Sequence, residues 1–97
     1  MFTYICLGTN DLERAALFYD ATLGALGLKR CITNDPEWDR TWAGWGNYKD
    51  DGASETALWV CKPFDNEAAT AGNGTMIAFS AKSWQEVENF HSAGMAG

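Results

Sequence analysis

Chemistry at neutral pH needs a proton carrier, a nucleophile or a set of metal ligands, and this sequence is thin in all three. It has one histidine, His91. That residue follows Phe90 in a stretch with helical spacing, which makes it a packing residue rather than a general base. Cys6, Cys31 and Cys61 are odd in number, widely spaced and without a C-x-x-C pair. They suggest neither a zinc site nor a disulfide framework. Each lies in a predicted strand, where a thiol serves as a small buried apolar group. Ser80 and Ser83 have no histidine partner in the sequence. Gly72-Asn73-Gly74 is a turn signal rather than a phosphate loop. Asp35, Glu37 and Asp39 are clustered acids, but they flank a turn at Pro36, where solvation suits them better than an acid–base pairing.

What the sequence has in surplus is aromatic area: 13% of residues are aromatic, five of them Trp. Strand alternation sorts these by face. Phe2, Tyr4 and Cys6 share one face of the first strand. Ala57, Trp59 and Cys61 share one face of the fourth, and Met76 and Ala78 one face of the fifth. Trp42 and Trp45 lie on the third strand, interrupted by Gly44 and Gly46, which would allow a bulge or a close ligand. One reading makes these aromatics core. The other makes Tyr4, Trp42, Trp45, Trp59 and Met76 the lining of a stacking pocket for a flat organic molecule.

Two helices and five strands must position these residues. Phe2–Thr9 reads as the first strand. A helix follows, with Asn10 and Glu13 as a capping box and Asp11 adding negative charge at its positive end. Leu12, Ala15, Ala16, Tyr19, Thr22 and Leu23 fall in one sector, with Phe18 at its edge. Glu13, Arg14 and Asp20 lie on the other side, joined by Leu17, and Gly24 and Gly27 supply the stop. Leu28–Thr33 is a second short strand, and Asn34-Asp35-Pro36 a turn. Thr41–Tyr48 is the third strand, Asp51-Gly52 a hairpin signal, and Thr56–Cys61 the cleanest strand. Lys62–Asn73 is a polar connecting loop. Gly74–Ala81 is a fifth strand, whose Ile77 and Phe79 face the second helix. Ser83 and Glu86 open that helix, with Trp84, Val87, Phe90 and His91 on one face and Gly94 and Gly97 at its end.

Ninety-seven residues suit one small domain, near the lower end of comfortable stability. With 46% hydrophobic residues the chain packs rather than stays disordered. A net charge of -6 and the lack of any Lys/Arg run disfavour nucleic acid and anionic membranes. There is no signal peptide and no apolar run long enough to span a bilayer, so the reading is cytoplasmic.

The stretch from Leu7 to Leu28, LGTNDLERAALFYDATLGALGL, resembles the opening of the vicinal-oxygen-chelate superfamily. That superfamily holds glyoxalases, bleomycin-resistance proteins and extradiol dioxygenases. The resemblance is most specific there, weaker at Gly74–His91 and unspecific between them. It implies an α+β fold: a βαβββ module over 1–61, a linker over 62–73, and an incomplete second module, βα, over 74–97. In the family, three more strands follow the second helix, and with them a ligating glutamate and a D-P-D-G-N-like turn, neither of which occurs here. Either the gene product is truncated or another chain completes the sheet, and a homodimer is expected. The family holds a divalent metal on inward-facing strand positions, where two vicinal substrate oxygens displace its waters. By the resemblance, the first two positions fall on Tyr4 and Met76, poor donors for such an ion. The expectation is therefore no metal and no cofactor. The leading function is metal-independent binding of a small aromatic or amphipathic molecule in an aromatic cup. The alternatives are a metal-dependent lyase or dioxygenase of the same superfamily, or a truncated non-catalytic member.

Overall fold

The structure is a computed structural model that describes residues 2–48 and 55–97; the hairpin signal at Asp51-Gly52 lies outside the described residues. Its elements run β1 (Tyr4–Gly8), α1 (Leu12–Gly24), α2 (Pro36–Thr41), β2 (Trp42–Asn47), β3 (Thr56–Cys61) and α3 (Trp84–Ala96). The strands form a mixed sheet in the order β1-β3-β2, with β1 parallel and β2 antiparallel to β3.

Helix α1 covers one face of this sheet, and α3 packs on α1. Helix α1 buries Ala16, Thr22 and Leu23 against Ala43, Trp45, Leu58 and Val60, with Leu12, Ala15 and Tyr19 at the margin. Leu17 is exposed among the charges, as the helical spacing requires. The cap is Asp11, not Asn10. Asp11 has extended backbone and accepts from the Arg14 N–H at 3.0 Å. The Asn10 amide instead bonds both backbone groups of Ala69, tying the 62–73 segment to the head of the helix. At the other end, the Leu28 N–H closes onto the Leu23 carbonyl at 3.0 Å.

Ser83 caps α3 as read, accepting from the Glu86 N–H, and Glu86 reaches back to the Lys82 N–H. The packed face of α3 is different from the one expected. Phe90 meets Phe79 with ring centroids 6.2 Å apart, and Gly94 lies against Thr22 of α1. Trp84 is 82% exposed and His91 is exposed too, because the contact with α1 runs through the later turns of the helix.

Two expected strands do not form ladders. In Leu28–Thr33 only Arg30 pairs among the described residues, with Trp45, and the chain then turns away because Thr33 bonds the Asp39 carboxylate through its N–H and hydroxyl. Gly74–Ala81 keeps a strand's alternation, with Ile77 and Phe79 half-buried and Met76 and Ala78 exposed. It has no ladder partner among the described residues, and an isolated strand gains too little to hold one. A groove of about 1160 Å³, lined by Cys6, Leu7, Phe18, Thr75 and Ala93 among others, runs along the β1 side of the sheet.

Candidate ligand site

The register places Cys6 beside Trp59 and Gly44 beside Trp59 from the other side. Alternation then puts Tyr4, Cys6, Trp42, Gly44, Ala57, Trp59 and Cys61 on the face remote from α1. Trp59 is nonetheless only 3% exposed, because other aromatic side chains cover it. Its ring lies flat over Gly44, where a Cβ would come within 2.4 Å of the ring. The space opened by that glycine is filled by the protein's own tryptophan. The Trp59 indole N–H donates to Glu55 at 2.6 Å.

The cover comes from α2, which forms where Asn34-Asp35-Pro36 signals a turn. Asp35 accepts from the Glu37 and Trp38 N–H groups, and Pro36 stands in the first turn, where its missing N–H costs nothing. The clustered acids are thus helix-forming residues: Asp35 caps, and Asp39 holds Thr33. One helical turn separates Trp38 from Trp42. Their rings stack at 4.4 Å and 7°. Both meet Trp59 edge-on, at 6.1 and 6.4 Å, and Tyr48 does so at 5.5 Å. Phe64, 79% exposed, tilts against Trp42 at 5.5 Å. Beside Phe64 opens a pocket of about 400 Å³ that also reaches Cys6, Cys61 and Pro63.

Of the residues expected to line a cup, Trp42 and Trp59 come together, and Tyr4 shares their face. Trp45 points the opposite way, 1% exposed in the helix-facing core. Its indole N–H donates to Asp20 at 2.8 Å, and Arg30 sits over its ring. Arg30 also grips Asp20 through two hydrogen bonds. That grip, aided by the indole, holds the Asp20 carboxyl below the usual carboxylate range against the opposing effect of burial. Met76 is 93% exposed and stands apart from the cluster. Trp38, Tyr48 and Phe64 were not anticipated. Trp38 had a signal in the capped D-P start followed by two tryptophans four apart; Phe64 had none. The cysteines also depart from expectation. Cys6 is exposed and Cys31 only half-buried. The buried Cys61 thiol is pushed up to about 12, chiefly by burial and then by the adjacent Cys6 thiol.

No family model matches the sequence, and no curated protein does. Among solved structures, the chain is similar to a glyoxalase/bleomycin resistance protein from Albidiferax ferrireducens T118, with 31% identity and a TM-score of 0.80. The match covers 99% of this chain and 70% of that one. The chain belongs to the glyoxalase/bleomycin resistance family. Its α+β architecture, with β1 parallel to β3 and α3 packed on α1, is that family's fold.

The metal-dependent members of this family need hard or borderline donors. The positions that the resemblance assigns to ligands carry the Tyr4 phenol and the Met76 thioether, both well exposed. Among the described residues no group of three or more His, Cys, Asp or Glu converges. This donor set does not fit a divalent ion of that kind. No helix of the described residues is long and apolar enough to cross a membrane.

Proposed function

We propose that this glyoxalase/bleomycin resistance family member binds a small planar aromatic or amphipathic molecule on the helix-remote face of its sheet, without a divalent metal. The supporting observation is the aromatic assembly there. Trp59 is a rigid, buried base, Trp38 and Trp42 form a preset stack above it, and Phe64 stands exposed beside an open pocket. Rigid rings lose little entropy on binding and offer π faces to a flat guest. The net charge of -6 favours neutral or cationic guests.

The test is titration of the full chain with a panel of neutral and cationic planar aromatics, read by tryptophan fluorescence with and without a strong chelator. Expected is saturable quenching, unchanged by the chelator. Trp42→Ala should weaken it about tenfold, the ~1.4 kcal/mol of one lost aromatic contact. Trp84→Phe, on the exposed side of α3, should leave it intact. Quenching that never saturates, or that Trp42→Ala leaves unchanged, would count against the reading.

Three further proposals accompany it: that residues 1–97 act as one domain, that two copies associate, and that the protein works in a reducing compartment such as the cytoplasm, which suits its three free thiols.

A further inference from the structure

The geometry points to a two-sulfur site for a soft, thiophilic cation of the monovalent-copper class, held between Cys6 and Cys61 beside the pocket that Phe64 walls. The two residues lie 55 positions apart in sequence, yet their Sγ atoms meet at 3.5 Å. Such a pair can form a disulfide, ligate a soft ion or stay a hydrogen-bonded dithiol, and the register opposes the first. Cys6 stands opposite Trp59, and Cys61 opposite Gly8. The two cysteines are therefore offset by two residues along neighbouring strands, which puts their Cα atoms roughly 8 Å apart. A disulfide reaches only about 7 Å without moving the backbone. The sulfurs touch because both side chains lean along the strands toward each other. What remains is a persistent dithiol.

Ligation needs little movement. With metal–sulfur bonds of about 2.3 Å and the ~120° angle of a three-coordinate ion, two sulfurs bound to one ion sit roughly 4.0 Å apart, about half an ångström beyond the distance here. The pair is reachable from the Cys6 side, although Cys61 itself is buried. Cys6 is exposed, and both cysteines line the pocket of about 400 Å³, which leaves room for a third ligand from solution. The other walls mix apolar Pro63, Phe64 and Ala69 with Asp65 and Thr70. Thiolates select soft ions over Mg, Ca or Mn, so the site is distinct in chemistry from the divalent centre that the resemblance implies. On binding, each thiol gives its proton to solvent and two metal–sulfur bonds form. The oxidation state does not change.

The experiment titrates the reduced, metal-free full chain, under inert gas, with monovalent copper presented by a competing chromogenic chelator. Expected is one copper withdrawn per chain, with a thiolate-to-copper band in the ultraviolet. Cys6→Ser alters an exposed side chain and should keep the far-ultraviolet spectrum of the parent. It should lose affinity by more than roughly 100-fold, beyond what loss of an outer-shell partner costs. Cys61→Ala should lose it likewise. Cys31→Ser should bind as the parent does, because the Cys31 sulfur faces the Gly46 carbonyl at 3.8 Å instead. No copper withdrawn, undiminished binding in Cys6→Ser, or loss of binding in Cys31→Ser would each overturn the site.

Discussion

Asp20 looks like a surface acid in the sequence and turns out to be the polar anchor of the core's largest ring. The buried Trp45 indole N–H has its acceptor there. Asp20→Ala should therefore destabilise the fold by about 1–3 kcal/mol, the cost of leaving a buried donor unmet. Asp20→Asn keeps an acceptor and removes the charge. Its deficit against the parent should be at most about 1 kcal/mol, since the Arg30 pair is well exposed. The sign with pH follows from the depressed carboxyl. The charge contributes stability above the unfolded value of about 3.9, and that contribution fades as pH falls below it toward the lower folded value. Urea melts at pH 6 and pH 3 should show the gap between parent and Asp20→Asn closing at the lower pH; a constant gap would refute the assignment. Gly44 gives a second test at this scale. Gly44→Ala drives a methyl into the Trp59 ring and should cost about 1–3 kcal/mol. Much of that should vanish in a Trp59→Leu background, and strict additivity of the two changes would show that the ring does not lie over the glycine. Neither contact was legible beforehand. Alternation told which face Trp59 takes, but not that a glycine one strand away makes its bed, nor that Asp20 reaches a ring 25 positions on.

Elements were legible where local pattern and final environment agree. Thr56–Cys61 forms β3 with the bounds read from TALWVC, because it is the central strand and pairs on both sides. Helix α1 and the Ser83 start of α3 follow from spacing and caps. Leu28–Thr33 and Gly74–Ala81 carry strand composition without a ladder, since a strand is a relation between two segments and only one of them is visible in its own sequence. Helix α2 was missed because D-P-E signals a turn and a helix start alike; six residues add no periodicity to decide between them. Its cap is open to test. Asp35→Ala removes the acceptor of the Glu37 and Trp38 N–H groups and should cost about 1 kcal/mol. It should also loosen Trp38 from Trp42 and diminish the near-ultraviolet circular dichroism of their stack. An unchanged near-ultraviolet spectrum would mean that α2 does not depend on its cap.

At the scale of the whole molecule, the sheet has α1 on one face and, on part of the other, an aromatic cover to which α2 contributes Trp38, and β1 is one of its edges. An edge strand presents backbone groups on which another chain can pair. Around this one the apolar surface is generous. Phe2 is 74% exposed, Tyr4 and Ile5 are exposed beside it, and Met76 stands out on the unladdered 74–81 segment. That segment has a strand's alternation and no ladder partner among the described residues. A second copy supplies both wants at once if the 74–81 segment or β1 of one chain lies along the other's edge, and twofold symmetry is the commonest way for such a contact to close. We therefore predict a homodimer, or a larger even-numbered oligomer, with Met76 and Ala78 near the contact. Light scattering at micromolar concentration should give twice the chain mass or an even multiple of it. Met76→Glu, at a position too exposed to affect the fold of one chain, would place like charges near each other across the axis and should shift the mass toward the monomer. A parent protein that is monomeric at that concentration and unfolds cooperatively would defeat the prediction. It would show that β1 and the 74–81 segment hold their shape without a neighbour.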